Sequence, residues 1–461
     1  MDQRKNILII MSDDQGAWAM GCDGNREIRT PSLDRLAAGG MRFTHFFCTS
    51  PVCSPARASF LTGRMPSQHG VHDWLKLGNL DIEEGTMWFG KDRPIEYLEG
   101  LAGFTDILAA NGYVCGLSGK WHLGHSAKPQ KGHTWWCAHS VGGSHYFDYY
   151  YYDNGPELLH RTDYISDFFT DKAIEFLDRR GRGSNPFCLS VHYTAPHSPW
   201  TGHPQPIVDS YNHCPFASCP QEPRHPWAIS LTDHCLGNRE MLKGYFAAVT
   251  AMDDNVGRIL KRLDERGLRD NTLVIFISDN GFSCGHHGFW GKGNGTNPRN
   301  MYENSVKVPA IFNYPASIPR GQVEKALVSA YDFFPTLLEF LGLPVPEDRN
   351  LPGKSFAPLL RGQEMKERED VVIFDEYGPV RMVRTKEWKY VYRHAHGPHE
   401  LFDLKNDPDE RRNLAGDPAQ AKRIQELKAI MDEWFARYVN PKRDGLVEDG
   451  GGMGQTRYIR G

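Results

Sequence analysis

No stretch of this 461-residue chain approaches the ~20 consecutive apolar residues that crossing a bilayer takes, so no membrane span is expected. Long runs of Lys or Arg are also missing, and the formal net charge is -4. A nucleic-acid partner would need a concentrated basic face, so none is expected. Regular cysteine spacing is absent too. The ten cysteines are too scattered to form a disulfide framework for so long a chain, which fits a reducing compartment. A leader is not visible: Arg4-Lys5 gives a basic start, but the apolar run that follows is short and ends in acids rather than at a small-residue cleavage site. As written, the chain reads as cytoplasmic unless a leader was removed.

What is present is an ordinary globular composition, 40% hydrophobic and 24% charged, on a chain long enough for an enzyme-sized core and two or three domains. Apolar, β-branched runs recur at 6–11, 113–118, 186–193 and 272–277, the pattern of strands buried on both faces of a parallel sheet. Helical patterns at 30–40, 104–111, 164–178 and 243–266 alternate with them. The expected fold is α/β, with a large, mostly parallel central sheet and helices on both faces. Composition shifts over 344–368, rich in Pro, Gly and charge, which divides the chain into 1–365 and 366–461. In the second part, strands at 371–377, 380–384 and 388–393 precede a helix at 419–438, predicting a smaller α+β unit with an antiparallel sheet. The glycine-rich end, 450–455, reads as mobile unless the body of the protein pins it.

Functional groups of open α/β sheets collect at the carboxyl ends of strands. The first strand runs into Asp13 and Asp14, and the strand at 272–277 into Asp279 and Asn280. If the two strands are neighbours, three carboxylates and an amide meet at one sheet edge. Such a set repels itself without a cation, and all-oxygen donors select Ca²⁺ or Mg²⁺. A third strand ends in Lys120-Trp121-His122 between glycines, a proline-braced turn holds His197, and a glycine-loosened loop carries Lys292. Each offers a cation or a donor to an anion. Cys53-Ser54-Pro55-Ala56-Arg57 opens a short helix that Gly63 can stop, with Pro55 in the first turn. An anion beside Cys53 would be stabilised by the helix N-terminus and by Arg57, and the same field would lower the thiol's pKa.

Other stretches stay open. The segment with Trp135, Trp136, His139, His145, Tyr146 and four tyrosines at 149–152 suits ring binding by stacking, or equally a packed aromatic lid. Residues 68–100, with Trp74, Trp88 and Phe89, read as a loop that could wall a pocket. The His- and Cys-rich stretch 203–238 matches no zinc spacing and reads as an inserted loop, although whether it holds a metal stays open.

Cys53, Pro55 and Arg57 with Leu61-Thr62-Gly63 resemble the signature of the type I sulfatases of the alkaline phosphatase superfamily. The resemblance continues in order through Met11-Ser12-Asp13-Asp14-Gln15, Gly119-Lys120-Trp121-His122-Leu123-Gly124, Ala195-Pro196-His197-Ser198-Pro199, Ser278-Asp279-Asn280-Gly281, Gly291-Lys292-Gly293 and 400–408. It implies that Cys53 is the precursor of formylglycine, made by a maturation enzyme. It further implies that Asp13, Asp14, Asp279, Asn280 and the modified Cys53 bind Ca²⁺, with Mg²⁺ as the alternative. Arg57 and Lys120 would hold the formylglycine hydrate and sulfate, His122 would contact the hydrate, and His197 and Lys292 would bind sulfate oxygens and assist the leaving group. The implied activity is hydrolysis of a small sulfate monoester, of aryl, steroid or saccharide type. Phosphonate or phosphodiester hydrolysis with the same modified residue is the alternative reaction, and binding of sulfated glycans at an inactive site is the alternative class. Oligomeric state is not readable.

Overall fold

Every residue of Asn6–Ser12 (β1) is buried, and that strand is the axis of a ten-stranded sheet. Each fully buried Ile in it contributes ~1.5–3 kcal/mol relative to exposure. The computed structural model describes residues 4–76, 95–180, 185–346, 350–365, 379–447 and 454–459. The remaining strands of the sheet are Met41–Phe43 (β2), Val114–Lys120 (β3), His133–His139 (β4), Tyr149–Asp153 (β5), Leu159–Arg161 (β6), Phe187–His192 (β7), Thr272–Ser278 (β8), Ala310–Asn313 (β9) and Gln322–Glu324 (β10). Their spatial order is β10-β2-β9-β8-β1-β7-β3-β4-β5-β6. The core from β8 to β4 is parallel, whereas β9, β5 and β6 run antiparallel to their neighbours.

Alternation along β1 assigns its side chains to two cores. Ile7, Ile9 and Met11 face one apolar cluster, and Leu8 and Ile10 face the other. Helices Pro31–Ala38 (α1), Ile165–Asp178 (α4) and Arg239–Glu265 (α5) cover the second face; Cys53–Thr62 (α2), Phe104–Ala110 (α3) and Phe333–Leu341 (α6) cover the first. The α/β expectation is thus met, with helices on both faces. One cap differs from a simple reading of its sequence. The amides of Ser32 and Leu33 at the start of α1 donate at 2.9 and 2.8 Å to the Asp253 carboxylate of α5, so a carboxylate 220 residues away takes the place of a local N-cap at these amides.

The stretch 41–47 is not one strand. It breaks into β2 and the pair Phe46–Phe47, which joins Val328–Ser329 in a separate two-stranded sheet. The aromatic stretch after residue 133 supplies β4 and β5, and Trp135, Trp136, Tyr149 and Tyr151 are buried, which makes those rings core. Residues 203–238 carry two short helices, Gln205–Asp209 and Ser230–Cys235, and their Cys219 and Cys235 pack in an apolar cluster with Trp200 and Trp290.

Toward the C-terminus, Val380–Arg384 (β11), Trp388–Arg393 (β12) and Glu400–Asp403 (β13) form a three-stranded antiparallel sheet, against which Ala421–Tyr438 (α7) packs through Leu427, Met431 and Phe435. The strand expected at 371–377, the rings of Trp88 and Phe89, and residues 450–453 lie outside the described residues. Among the described residues, no helix is long and apolar enough to cross a membrane.

Candidate active site

Strands β1 and β8 are direct neighbours, with Ser12 opposite Ser278, so the chain leaves both at the same height. Asp13 follows one strand and Asp279 the other. Asp14 takes a left-handed backbone, φ 65°, which its short polar side chain tolerates. Its amide donates to Asp279 Oδ1 at 3.2 Å, and Asn280 Nδ2 donates to Asp14 Oδ1 at 2.8 Å. Carboxylate oxygens of Asp13, Asp14 and Asp279 lie within 4.8 Å of one another. At that separation each pair repels by about 3–4 kcal/mol for an effective dielectric of about 20.

Helix α2 brings Cys53 to this cluster. All ten residues of α2 are buried, and Gly63 ends it in a left-handed conformation, φ 69°. Cys53 Sγ lies 3.4 Å from Asp13 Oδ1 and 4.0 Å from Asp14 Oδ1. One turn on, Arg57 Nε donates to Asp279 Oδ2 at 2.9 Å and Nη1 to the Lys120 carbonyl at 3.4 Å. Lys120 at the end of β3 pairs with Asp13. Lys292 pairs with Asp14 and places Nζ 2.8 Å from Cys53 Sγ. Its loop lies tightly on the segment before α2: a Cβ on Gly293 would sit 2.4 Å from Pro51 Cγ.

The two histidines have defined orientations. His197 Nδ1 donates to the Ser198 carbonyl at 2.8 Å, which leaves Nε2, 3.9 Å from Asp14 Oδ2. His122 Nε2 donates to the Leu75 carbonyl at 3.0 Å, and its buried Nδ1 has no hydrogen-bond partner among the described residues. Every site residue expected from the sequence therefore reaches one region. Burial holds both imidazoles below the ordinary histidine range, His122 well below it with Lys120 adding to the effect.

The thiol departs from expectation. Burial, then the Asp13 charge, pushes Cys53 up to about 12 against the pull of Lys120 and Lys292, so the helix N-terminus does not make it a reactive thiolate. Desolvation outweighs the dipole because the group is sealed among carboxylates. Burial and the Asp13 charge likewise push Asp279 up to about 7, although Arg57 pulls it down. Burial would raise Asp13 as well, but Lys120, His197, Arg57 and Lys292 together hold it well below the usual carboxylate range.

Supporting residues escaped the sequence reading. His192 Nδ1 contacts the Lys120 carbonyl at 3.1 Å, the Tyr245 hydroxyl donates to the Asp14 carbonyl at 2.9 Å, and Asn300 Nδ2 donates to the Lys292 carbonyl at 3.0 Å. His192 ends β7, so the rule that found Lys120 applies to it. Tyr245 lies in the apolar stripe of α5 and carries no local signal.

Comparison with known proteins decides the family, because the sulfatase family model matches residues 5–343. The chain belongs to the sulfatase family. A second model, the C-terminal region of N-sulphoglucosamine sulphohydrolase, matches residues 285–436. The sulfatase is 28% identical to an N-acetylglucosamine-6-O-sulfatase of Bacteroides thetaiotaomicron, over 95% of this chain and 87% of the relative. It is 27% identical to human steryl-sulfatase, over 94% of this chain and 88% of that one. A solved structure of a protein in complex with its substrate D-glucosamine-2-N,6-O-disulfate superposes with a TM-score of 0.79 at 26% identity, covering 96% of this sulfatase and 99% of the other chain.

Proposed function

We propose that this sulfatase releases sulfate from sulfated saccharides, using a formylglycine made from Cys53 by a maturation enzyme and a Ca²⁺ ion held by Asp13, Asp14, Asp279 and Asn280. The observation that carries this reading is the set of unsatisfied polar atoms in the acidic cluster. Among the described residues, Asn280 Oδ1 and Arg57 Nη2 are buried without a hydrogen-bond partner, one an oxygen donor for a hard cation and the other a donor for an anion. Three carboxylates face three basic side chains, Arg57, Lys120 and Lys292, so acidic and basic groups balance and the cluster can admit a cation and an anion together. A thiol is a soft ligand and fits such oxygen donors poorly; the two hydroxyls of an aldehyde hydrate fit them.

When bound, the cation supplies positive charge to the sulfuryl oxygens and the hydrate supplies an oxygen nucleophile. Arg57, Lys120 and Lys292 orient the sulfate and stabilise its developing charge, in a buried region where each contact is strong. His197, whose Nδ1 is taken by Ser198, presents Nε2 to the leaving oxygen and can donate a proton from there only as the imidazolium, a form that a bound sulfate anion favours. His122, whose Nε2 is taken by Leu75, keeps Nδ1 to accept one.

The saccharide assignment draws support from the N-acetylglucosamine-6-O-sulfatase and the glucosamine disulfate complex named above; the burial of Trp135, Trp136, Tyr149 and Tyr151 in β4 and β5 removes one argument for an aryl or steroid group. The test pairs peptide mass at Cys53 with turnover of a glucosamine 6-O-sulfate, an aryl sulfate, a steroid sulfate and a matched aryl phosphonate. Conversion of Cys53 with preference for the sugar sulfate is expected. An unmodified thiol in protein that still turns over at full rate would sink the formylglycine reading, and preference for the phosphonate would move the reaction to phosphorus.

A further inference from the structure

Residue 455 lies near the end of the chain, yet it is buried and every polar atom it has is engaged. Its backbone forms a parallel bridge with Leu75: the Gln455 amide donates to the Trp74 carbonyl at 2.7 Å, and the Lys76 amide donates to the Gln455 carbonyl at 3.0 Å. Its side-chain Oε1 accepts from the amides of His72 and Asp73 at 2.9 and 3.4 Å. Its Nε2 donates to the carbonyls of Gly70 and Arg457 at 2.9 and 2.8 Å. The preceding residue is fitted to the same place. Gly454, at φ +94°, would put a Cβ 2.8 Å from Lys76 and 2.9 Å from Trp74, and its amide donates to Asp73 Oδ2 at 3.1 Å. Ile459 is buried beyond it.

The clamped segment leads directly to the reaction centre. The Leu75 amide donates to Ser54 Oγ at 3.1 Å, and Ser54 adjoins Cys53 in the first turn of α2. The Leu75 carbonyl accepts from His122 Nε2 at 3.0 Å. His122 itself holds a left-handed backbone, φ 54°, and its other ring nitrogen has no hydrogen-bond partner among the described residues. A single residue thus fixes which nitrogen of His122 carries the proton and steadies the turn that bears Cys53, while the tail near the C-terminus fixes that residue.

We propose that Gln455 is a positioning residue for catalysis: by clamping residues 70–76 it holds the Leu75 carbonyl on His122 Nε2, so that Nδ1 remains the proton acceptor. This rests on the role given to His122 above. A side chain held by one carbonyl loses its defined tautomer when that carbonyl shifts, and misplacement of about 1 Å costs about 100-fold in rate. The placement of His122 then depends on residues 454–459 having docked against residues 70–76.

The test is a double-mutant cycle in the full chain, with a glucosamine 6-O-sulfate as probe and conversion of residue 53 verified by mass in every variant. Gln455→Ala is expected to lower kcat by about 10- to 100-fold with KM changed by less than about threefold. In the His122→Ala background the same change should cost less than about twofold, since a residue acting through His122 has nothing left to position. Gln455→Glu, which keeps the acceptor for His72 and Asp73 but loses the donor to Gly70, should fall between and covers the case in which the alanine variant does not fold. Equal losses in both backgrounds, or a Gln455→Ala kcat within twofold of the parent, would overturn the proposal while leaving the sulfatase reaction standing. A mature parent protein that releases no sulfate would overturn both.

Discussion

The Lys389 cluster and the Asp13 cluster are both buried and both built from lysine, arginine and carboxylate side chains, yet one is saturated and the other is not. Lys389 Nζ donates to the Met301 carbonyl at 2.8 Å and lies 2.7 Å from both Glu303 Oε1 and Glu410 Oε1. Glu410 Oε2 accepts the Glu303 amide at 2.7 Å, and Arg384 lies 3.4 Å from Glu303. No side-chain atom of these four residues is left without a partner, and the network ties β11 and β12 to the segment that re-enters the large sheet at β9. Around Asp13, by contrast, Asn280 Oδ1, Arg57 Nη2 and His122 Nδ1 have no hydrogen-bond partner among the described residues. A saturated buried network holds shape and has no capacity for a ligand; an unsaturated one pays a desolvation cost that only a ligand can offset. The difference separates a structural ion cluster from a functional one where residue types do not.

Mutation should separate them further. The largest effect expected is for Cys53→Ala, which should lower kcat by about 10⁴-fold or more, with little change in melting temperature, as measured by sulfate release and thermal denaturation. Lys389→Met should do the reverse, costing about 3–5 kcal/mol of folding free energy by stranding Glu303 and Glu410, with kcat per folded molecule unchanged. A fall in that kcat would mean the two clusters are coupled.

Arg57→Ala removes a donor from the anion side and should lower kcat about 10²- to 10³-fold; a change in KM alone would reassign Arg57 to binding. Next in size is the metal. Ca²⁺ at about a hundred times its Kd should stabilise the protein by about 2.7 kcal/mol, an increment that chelation removes and that Lys389→Met retains. Equal melting temperatures with and without Ca²⁺ would remove the cation from the acidic cluster.

The smallest effect concerns pH. Burial, against the pull of Lys389 and with the push of Glu303, raises Glu410 from 4.5 to about 7. A carboxyl raised on folding binds more protons in the folded state between those values, so its contribution to stability declines as pH rises from 4.5 to about 7. Glu410→Gln should flatten that part of the denaturation profile and leave turnover intact; an unaltered profile would show that Glu410 does not titrate there.

Much of the site was legible because its parts sit where strands stop. Runs of β-branched residues fix Asn6–Ser12 and Thr272–Ser278 as doubly buried strands, and whatever follows such a strand is delivered to a sheet edge. Asp13, Asp14, Asp279, Asn280, Lys120 and His192 all obey that rule. The sign of the thiol's shift was not legible, since the local sequence shows the helix N-terminus and Arg57 but not the burial that dominates. The use of the aromatic residues was equally hidden: stacking surfaces and core strands share a composition, and only the pairing of His133–His139 with Val114–Lys120 turns those tryptophans inward.

By itself the sequence determined which residues could do chemistry and which segments would be strands, because burial pattern and residue type are local properties. Tertiary structure alone decided that β1 and β8 lie side by side, that Lys292 reaches Cys53 across 239 residues, and that Gln455 reaches Leu75 from the far end of the chain. Those are choices among strand pairings and loop closures, and their free energies belong to contacts between distant segments that no local pattern encodes.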